Sequence, residues 1–458
     1  MEKVSLSDIA RVTNAVCSDE LQGIKVDAVC TDTRAIQPGC LFVAIEGERF
    51  DAHDFAEQAA QNGAVALVCR KKVKCRVPVL YVEDTRTAFL DIAGWYRSLF
   101  SIPLIGITGS VGKTTTKEFI ALAMSVKYKT LKTQGNLNND IGMPTTLLRL
   151  DNSYEAAVIE MGMNHFGEIH ALSTRCKPTM GVITNIGVSH IENLGSREGI
   201  LKAKLEILDG MDAKAPLLLN ADNDLLSQLR LPRENVYYFG IDNEQADFRA
   251  TDISAQENST SFFIHYGGKM QRVSIPVSGM HNVLNAVCAF AVGVLNDIEP
   301  QAVAAALAEY VPAGMRQRLV QCGSFDVIED CYNASPDSMR ASIEMLAQRK
   351  AGKKIAVLAD MLELGTYAQI MHEQIGAFAA ERGIDVLLGY GELAAHYCTQ
   401  AELKGIKKAE HFLTKQDLLE ALLKEIEEGS AVLFKGSHGM HLEQTIRDLY
   451  ERKGIKNE

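Results

Sequence analysis

The chain has 458 residues, 47% of them hydrophobic, which is enough for two or three domains, each with its own core. Its formal net charge of -11, with no long basic run, excludes a general nucleic-acid or membrane-surface binder; a polyphosphate substrate would need local cationic groups. The amino terminus lacks a basic region followed by an apolar core, and no apolar stretch is long enough to span a bilayer. The expectation is a cytoplasmic chain without stable membrane insertion, with an isolated monomer as the default.

Taken in chain order, apolar β-rich runs at 64–69, 104–108, 156–160, 182–185, 216–220, 355–359, 386–389 and 431–435 alternate with helical stretches. That alternation predicts an α/β architecture with largely parallel sheets. Several runs end in Gly, Asn, Asp, Glu or Lys, so polar chemistry gathers at carboxyl ends of strands, where open α/β sheets bind ligands. Breaks near 100–103 and 311–314 divide the chain into domains at 1–100, 101–312 and 313–458. The ten cysteines, spread from Cys17 to Cys398, form no C-x-x-C pair and indicate neither a zinc site nor a disulfide framework.

The strongest local signal is Ile105-Gly-Ile-Thr-Gly-Ser-Val-Gly-Lys-Thr114, an apolar strand entering a Gly-rich turn and then a helix. Backbone N–H groups of such a turn surround phosphate oxygens, Lys113 supplies a point charge, and the Thr114 hydroxyl suits Mg²⁺. The general pattern asks for Gly at position 107, where this chain has Ile107. The following helix is expected to turn Phe119, Leu122, Ala123 and Val126 onto one face. Binding of a nucleoside triphosphate follows from these residues; the reaction it drives does not.

Glu160 ends an apolar strand, where a carboxylate is costly unless it binds a cation, pairs with an Arg or caps a helix. His190 also follows a strand end, and a hydrogen-bonded structural role is open to it as well as a ligand role. Lys202 and Lys204 lie among Leu201, Leu205 and Leu208 at helical spacing, so periodicity alone reads both as solvated.

Together these segments resemble the Mur ligase family over essentially the whole chain. Thr108-Gly-Ser-Val-Gly-Lys-Thr-Thr115 is similar to that family's shortened phosphate loop, which accounts for Ile107. Gly135-Asn-Leu-Asn-Asn-Asp-Ile-Gly-Met-Pro144, Asp330-Cys-Tyr-Asn-Ala-Ser-Pro336, Asp360-Met-Leu-Glu-Leu-Gly365 and Lys435-Gly-Ser437 resemble its dipeptide-adding branch. The resemblance implies three domains: a small α/β one for the UDP-sugar, a central phosphate-loop ATPase and a carboxyl-terminal Rossmann-like one. It implies ATP-dependent ligation of D-alanyl-D-alanine to a UDP-N-acetylmuramoyl-tripeptide through an acyl phosphate, as a step of peptidoglycan synthesis. The alternatives are another amide ligase of the superfamily, such as an earlier muramyl-peptide ligase or a folylpolyglutamate synthetase, or a nucleotide-dependent switch.

By the same resemblance, Gly109, Ser110, Gly112, Lys113, Thr114 and Thr115 hold the ATP phosphates. Thr114 and Glu160 take one Mg²⁺, His190 a second, and Lys204 carries a CO₂-derived carbamate that ligates metal. Asn282 is assigned to adenine, although ordinary helix capping is an equal local reading. Arg316 is assigned to the γ-phosphate, with Arg318 close enough in the motif to compete. Asp330 lies near the ribose and Asn333 at the domain interface, while Thr33, Arg34, Asn138 and Asn139 are expected to contact substrate.

Overall fold

The computed structural model describes residues 1–17, 20–47, 50–312 and 314–455. The chain folds into three α/β domains, and each sheet is built from one stretch of sequence.

In the first domain, strands Ala28–Cys30, Cys40–Val43, Ala64–Cys69 and Val79–Tyr81 pair in that order, all parallel. Their alternation buries Phe42, Leu67 and Val79 against the short helix Ala56–Gln61 on one face. The other face, with Leu41, Val43 and Val68, joins helix Thr85–Arg97 in a core that continues into the second domain. Asp84 caps that helix by accepting from the Thr87 amide. Because the core is shared, the first domain is seated on the second by apolar burial as well as by the Arg86–Asp140 and Arg175–Asp91 ion pairs.

The second domain carries a nine-stranded sheet. Its parallel part runs Thr130–Lys132, Ala156–Glu160, Leu104–Thr108, Met180–Ile183, Leu217–Asn220 and Val236–Gly240, then Phe248–Ala255. Two antiparallel strands, Thr260–Tyr266 and Lys269–Ile275, extend the edge. Period-two patterning in these amphipathic strands is weaker than the apolar runs of the sheet centre, and the sequence reading did not include them. Helices Lys113–Ser125, Met280–Leu295 and Pro300–Leu307 cover one face of the sheet.

Two local expectations are corrected. The run expected at 182–185 forms a strand at Met180–Ile183, because Thr184 and Asn185 leave the ladder to hold the phosphate loop. In helix Lys113–Ser125 the buried face is Thr116, Phe119, Ile120, Ala123 and Met124, and Val126, at the cap, is 41% exposed. The face is turned by about one residue because the helix packs on the sheet and on Met280–Leu295 together.

The third domain has six strands in the order Arg318–Gln321, Phe325–Asp330, Ser430–Lys435, Lys353–Ala359, Val386–Tyr390 and Lys408–Phe412. Only the first pair is antiparallel. Helix Pro336–Gln348 starts with Pro336 in its first turn and Ser335 as cap, and buries Met339, Ile343 and Leu346. No helix among the described residues is long and apolar enough to cross a membrane.

Candidate active site

A cavity of about 900 Å³ lies between the second and third domains. Its floor is made of the carboxyl ends of adjacent parallel strands, with Glu160 at the end of one, Asn220 at the end of another, and Thr184 and Asn185 just beyond a third.

The phosphate loop is held in shape by this floor. Asn185 does most of that work: its carbonyl accepts from the Ser110 amide at 3.1 Å and its Oδ1 from the Val111 amide at 2.9 Å. The Thr184 hydroxyl donates to the Val111 carbonyl at 2.6 Å, and the Gly187 amide donates to Ser110 Oγ at 3.0 Å. Gly109, at φ +150°, has no room for a side chain, since a Cβ there would lie 1.9 Å from Thr184 Oγ1. Gly112, at φ +81°, turns the chain into helix Lys113–Ser125, whose first-turn amides have no intrahelical acceptor. Gly112, Lys113, Thr114 and Thr115 line the cavity. Lys113 donates to the Gly109 carbonyl at 2.7 Å, and burial, reinforced by Arg316 and opposed by Glu160, holds its pKa below that of an ordinary lysine.

Glu160 is 2% exposed and fully engaged. Its Oε2 accepts from Thr114 Oγ1 at 2.9 Å and its Oε1 from Asn138 Nδ2 at 2.9 Å. Lys117, which the sequence reading passed over, is completely buried four residues beyond Lys113, with its ammonium 3.1 Å from Glu118 and 3.9 Å from Glu160. Asn139 has a local duty: its Oδ1 accepts from the Gly142 amide at 2.8 Å at the start of helix Gly142–Leu147.

The expectation that Lys204 is solvated is overturned. Helix Arg197–Leu205 buries Ile200, Ala203 and Lys204, with Ile207 continuing the face one turn later, and Lys204 is 2% exposed. The leucines that suggested the apolar face are half-buried beside it, while Lys202 is exposed. Burial first, then the charge of Lys113, pushes the Lys204 pKa well below the usual range. Both causes disfavour the charged ammonium.

The third domain supplies the other wall. The Arg316 guanidinium lies 3.9 Å from the centroid of the Tyr332 ring, whereas Arg318 begins a strand and pairs with Glu329 at 3.5 Å. Asp330 and Lys435 are opposite one another at the ends of adjacent parallel strands, both buried, and form a 2.9 Å ion pair to which the Ser342 hydroxyl donates at 2.5 Å. Gln317 crosses between domains: its Oε1 accepts from Asn282 Nδ2 at 3.0 Å and its side-chain amide contacts His281 Nε2. Asn282 also donates to the Ser278 carbonyl at 2.8 Å. Asn333 lines the cavity and turns its Oδ1 back to the Ala334 amide.

His190, at φ +64°, starts the short helix Ile191–Leu194 and sits 2.6 Å through Nδ1 from Glu363 of the third domain. The cavity therefore gathers Ser110, Gly112, Lys113, Thr114, Thr115, Asn138, Asn139, Glu160, His190, Asn282, Arg316, Asp330 and Asn333. Gly109 and Lys204 do not line it, and Thr33 and Arg34 are outside it, in the first domain. Asp32 caps the turn Thr33–Ala35 and forms an exposed ion pair with Arg34, which pulls the Asp32 carboxyl down to about 2.

Three family signatures match the chain: "Mur ligase family, catalytic domain" over 25–97, "Mur ligase middle domain" over 107–293 and "Mur ligase, glutamate ligase domain" over 315–438. The UDP-N-acetylmuramoyl-tripeptide–D-alanyl-D-alanine ligase of Bacillus subtilis (strain 168) is 39% identical, covering 98% of this chain and 99% of its own length. The enzyme of the same name from Escherichia coli (strain K12) is 38% identical with the same coverage. Among solved structures, MurF from Acinetobacter baumannii superposes with TM-score 0.92 at 31% identity, over 98% of this chain and 99% of that one. MurF from Thermotoga maritima, in complex with ADP, gives 0.84 at 27% identity, over 93% and 98%. By these matches and by its phosphate loop, the chain belongs to the Mur ligase family, in its MurF group.

Proposed function

We propose that this protein joins D-alanyl-D-alanine to a UDP-N-acetylmuramoyl-tripeptide, consuming ATP and releasing ADP and phosphate. The observation that carries the reading is the cavity that combines a phosphate loop, a buried Glu160–Thr114 pair and Arg316 from the opposing domain. The names of the full-length relatives supply the two substrates and leave the other amide ligases of the family unfavoured. A cytoplasmic setting follows from soluble nucleotide substrates. The proposed division is 1–100 for the UDP-sugar, with Thr33 and Arg34 as contacts, 101–312 for ATP, and 313–458 for closure over both. Ala313, in the connection at 311–314, is outside the described residues.

The tripeptide carboxylate attacks the γ-phosphorus, the bond to the β–γ bridging oxygen breaks, and ADP departs. Lys113 leaves the Gly109 carbonyl for the phosphates, and Arg316, held against the Tyr332 ring, faces the transferring group. Asn282 and Gln317 border the adenine side, and Asp330, fixed by Lys435, the ribose. The dipeptide amine, as the free base, then attacks the acyl phosphate, and the tetrahedral intermediate expels phosphate. Closure of the third domain keeps water from the acyl phosphate.

The residues fit Mg²⁺: Thr114 and Glu160 present hard oxygen donors 2.9 Å apart on the cavity floor. His190 and a carbamate on Lys204 would hold a second ion. When bound, the ions neutralise charge on the phosphates. Lys204 is suited to CO₂ because only a neutral amine adds it, and burial shifts this side chain toward its neutral form. The test is phosphate release from purified protein across a matrix of muramoyl-peptides, amino acids and dipeptides. Release should require the tripeptide and D-alanyl-D-alanine together; equal release with single amino acids would overturn the reading.

A further inference from the structure

The segment Asp360-Met-Leu-Glu-Leu-Gly365 follows the strand Lys353–Ala359 near the middle of the third sheet. Its backbone is tied down at three successive amides. Asp360 donates to the Tyr390 carbonyl at 3.2 Å, Met361 to His372 Nε2 at 3.1 Å, and Leu362 to Ser437 Oγ at 3.0 Å. The next residue, Glu363, is left-handed at φ +64°, a conformation that is strained for a non-glycine residue. That turn sends its carboxylate out of the third domain and onto the second, 2.6 Å from His190 Nδ1. His190 is left-handed too, so two strained residues on opposing domains meet. Gly365 completes the seating: a Cβ there would come within 3.2 Å of the Glu192 side chain, so the loop rests directly on helix Ile191–Leu194.

A carboxylate at Nδ1 has a definite chemical effect on a neutral imidazole. Here Nδ1 is buried without an aligned hydrogen-bond partner among the described residues, and Glu363 lies at ion-pair distance; once aligned, such a carboxylate takes the Nδ1 proton, fixes that tautomer and leaves Nε2 as the ring's lone-pair donor. His190 lines the cavity, whereas Glu363 does not and is half-exposed at the domain seam.

We propose that Glu363 is a positioning residue which, on docking of the third domain, orients His190 and fixes its tautomer, making assembly of the His190 side of the active site conditional on closure. This rests on the reading of His190 as a cation-binding residue. Glu363 needs no contact with substrate; it acts through the ring it holds. The loop's three amide anchors give it a fixed position in the third domain, so that carboxylate and ring meet only when the domains do.

The test compares wild type, Glu363→Gln, Glu363→Ala and His190→Gln as full-length proteins. With ADP and the UDP-muramoyl-tripeptide bound, ¹⁵N spectra of labelled histidine should give the Nδ1–H tautomer for His190 in wild type. In Glu363→Ala the Nε2–H tautomer should gain. Mn²⁺ titration followed by electron paramagnetic resonance should weaken about 10–100-fold at one of two sites in Glu363→Ala, with kcat falling by a similar factor and KM for ATP nearly unchanged. Glu363→Gln, which keeps an acceptor oxygen, should fall between the two. An unchanged tautomer and wild-type kcat in Glu363→Ala would overturn the proposal. Wild-type Mn²⁺ binding in His190→Gln would instead overturn the reading of His190 on which it rests.

Discussion

A single buried amine illustrates how residue chemistry and packing combine here. Lys204 sits on the buried face of helix Arg197–Leu205 between Ile200 and Ile207, where a charged ammonium is strongly disfavoured. Burial and the nearby Lys113 charge both disfavour its ammonium form, and the carbamate proposed for this side chain would restore an anion beside Lys113. Lys204→Ala is expected to lower kcat by at least about 100-fold, comparable to removal of a preorganised electrostatic group. Added bicarbonate should leave that variant inactive, and steady-state phosphate release at low and high bicarbonate checks it. Wild-type turnover in Lys204→Ala would remove the carbamate from the mechanism.

At the scale of an element, the loop after strand Lys353–Ala359 depends on one neutral histidine. His372, in helix Ala368–Glu381, is fully buried; its Nδ1–H donates to the Ala368 carbonyl at 2.7 Å and its Nε2 accepts from the Met361 amide. Protonation would remove that acceptor inside an apolar core, and burial pushes the pKa down from the usual 6.5 to about 4. The sign follows: the stabilisation is complete above 6.5 and is lost as pH falls through about 4. The interval corresponds to roughly 3 kcal/mol. Thermal unfolding of wild type should therefore lose stability between pH 6.5 and 4 more steeply than His372→Gln, whose side chain does not titrate. Parallel profiles would show that the histidine is not the group responsible.

For the whole molecule, the seams decide function. The first domain shares an apolar core with the second, while the third touches the second through the apolar side chain of Val188 and through polar contacts: Glu363 on His190, Arg349 on Glu257 at 3.2 Å, and Gln317 on the start of helix Met280–Leu295. Arg349 is buried and also held by Asp326 at 2.8 Å, so the latch side chain is preset in the third domain. Polar, sequence-separated contacts of this kind can open without exposing a core, and Gly314 at φ +65° and Gln317 at φ +54° supply left-handed turns beside the connection. Small-angle scattering should show the radius of gyration falling when nucleotide and UDP-muramoyl-tripeptide are both added. Superimposable curves would count against closure.

The α/β class, the phosphate loop and the residues at strand ends are legible in the chain alone, because each depends on near neighbours. An apolar run ending in Gly109 to Thr114, or in Glu160, carries its chemistry within one turn of chain. It also carried enough motif for the family to be read. What only the tertiary structure decided lay on faces and seams. Lys204 differs from Lys202 by which side of a helix meets the core; Lys117 and Asn185 matter for what lies opposite them; Arg316 separates from Arg318 because one rests on Tyr332 and the other enters a strand. Glu363 meets His190 across 173 residues of sequence. Helical periodicity fixes spacing around an axis but not the direction in which that axis is turned, and no local rule specifies which domain surface another will touch.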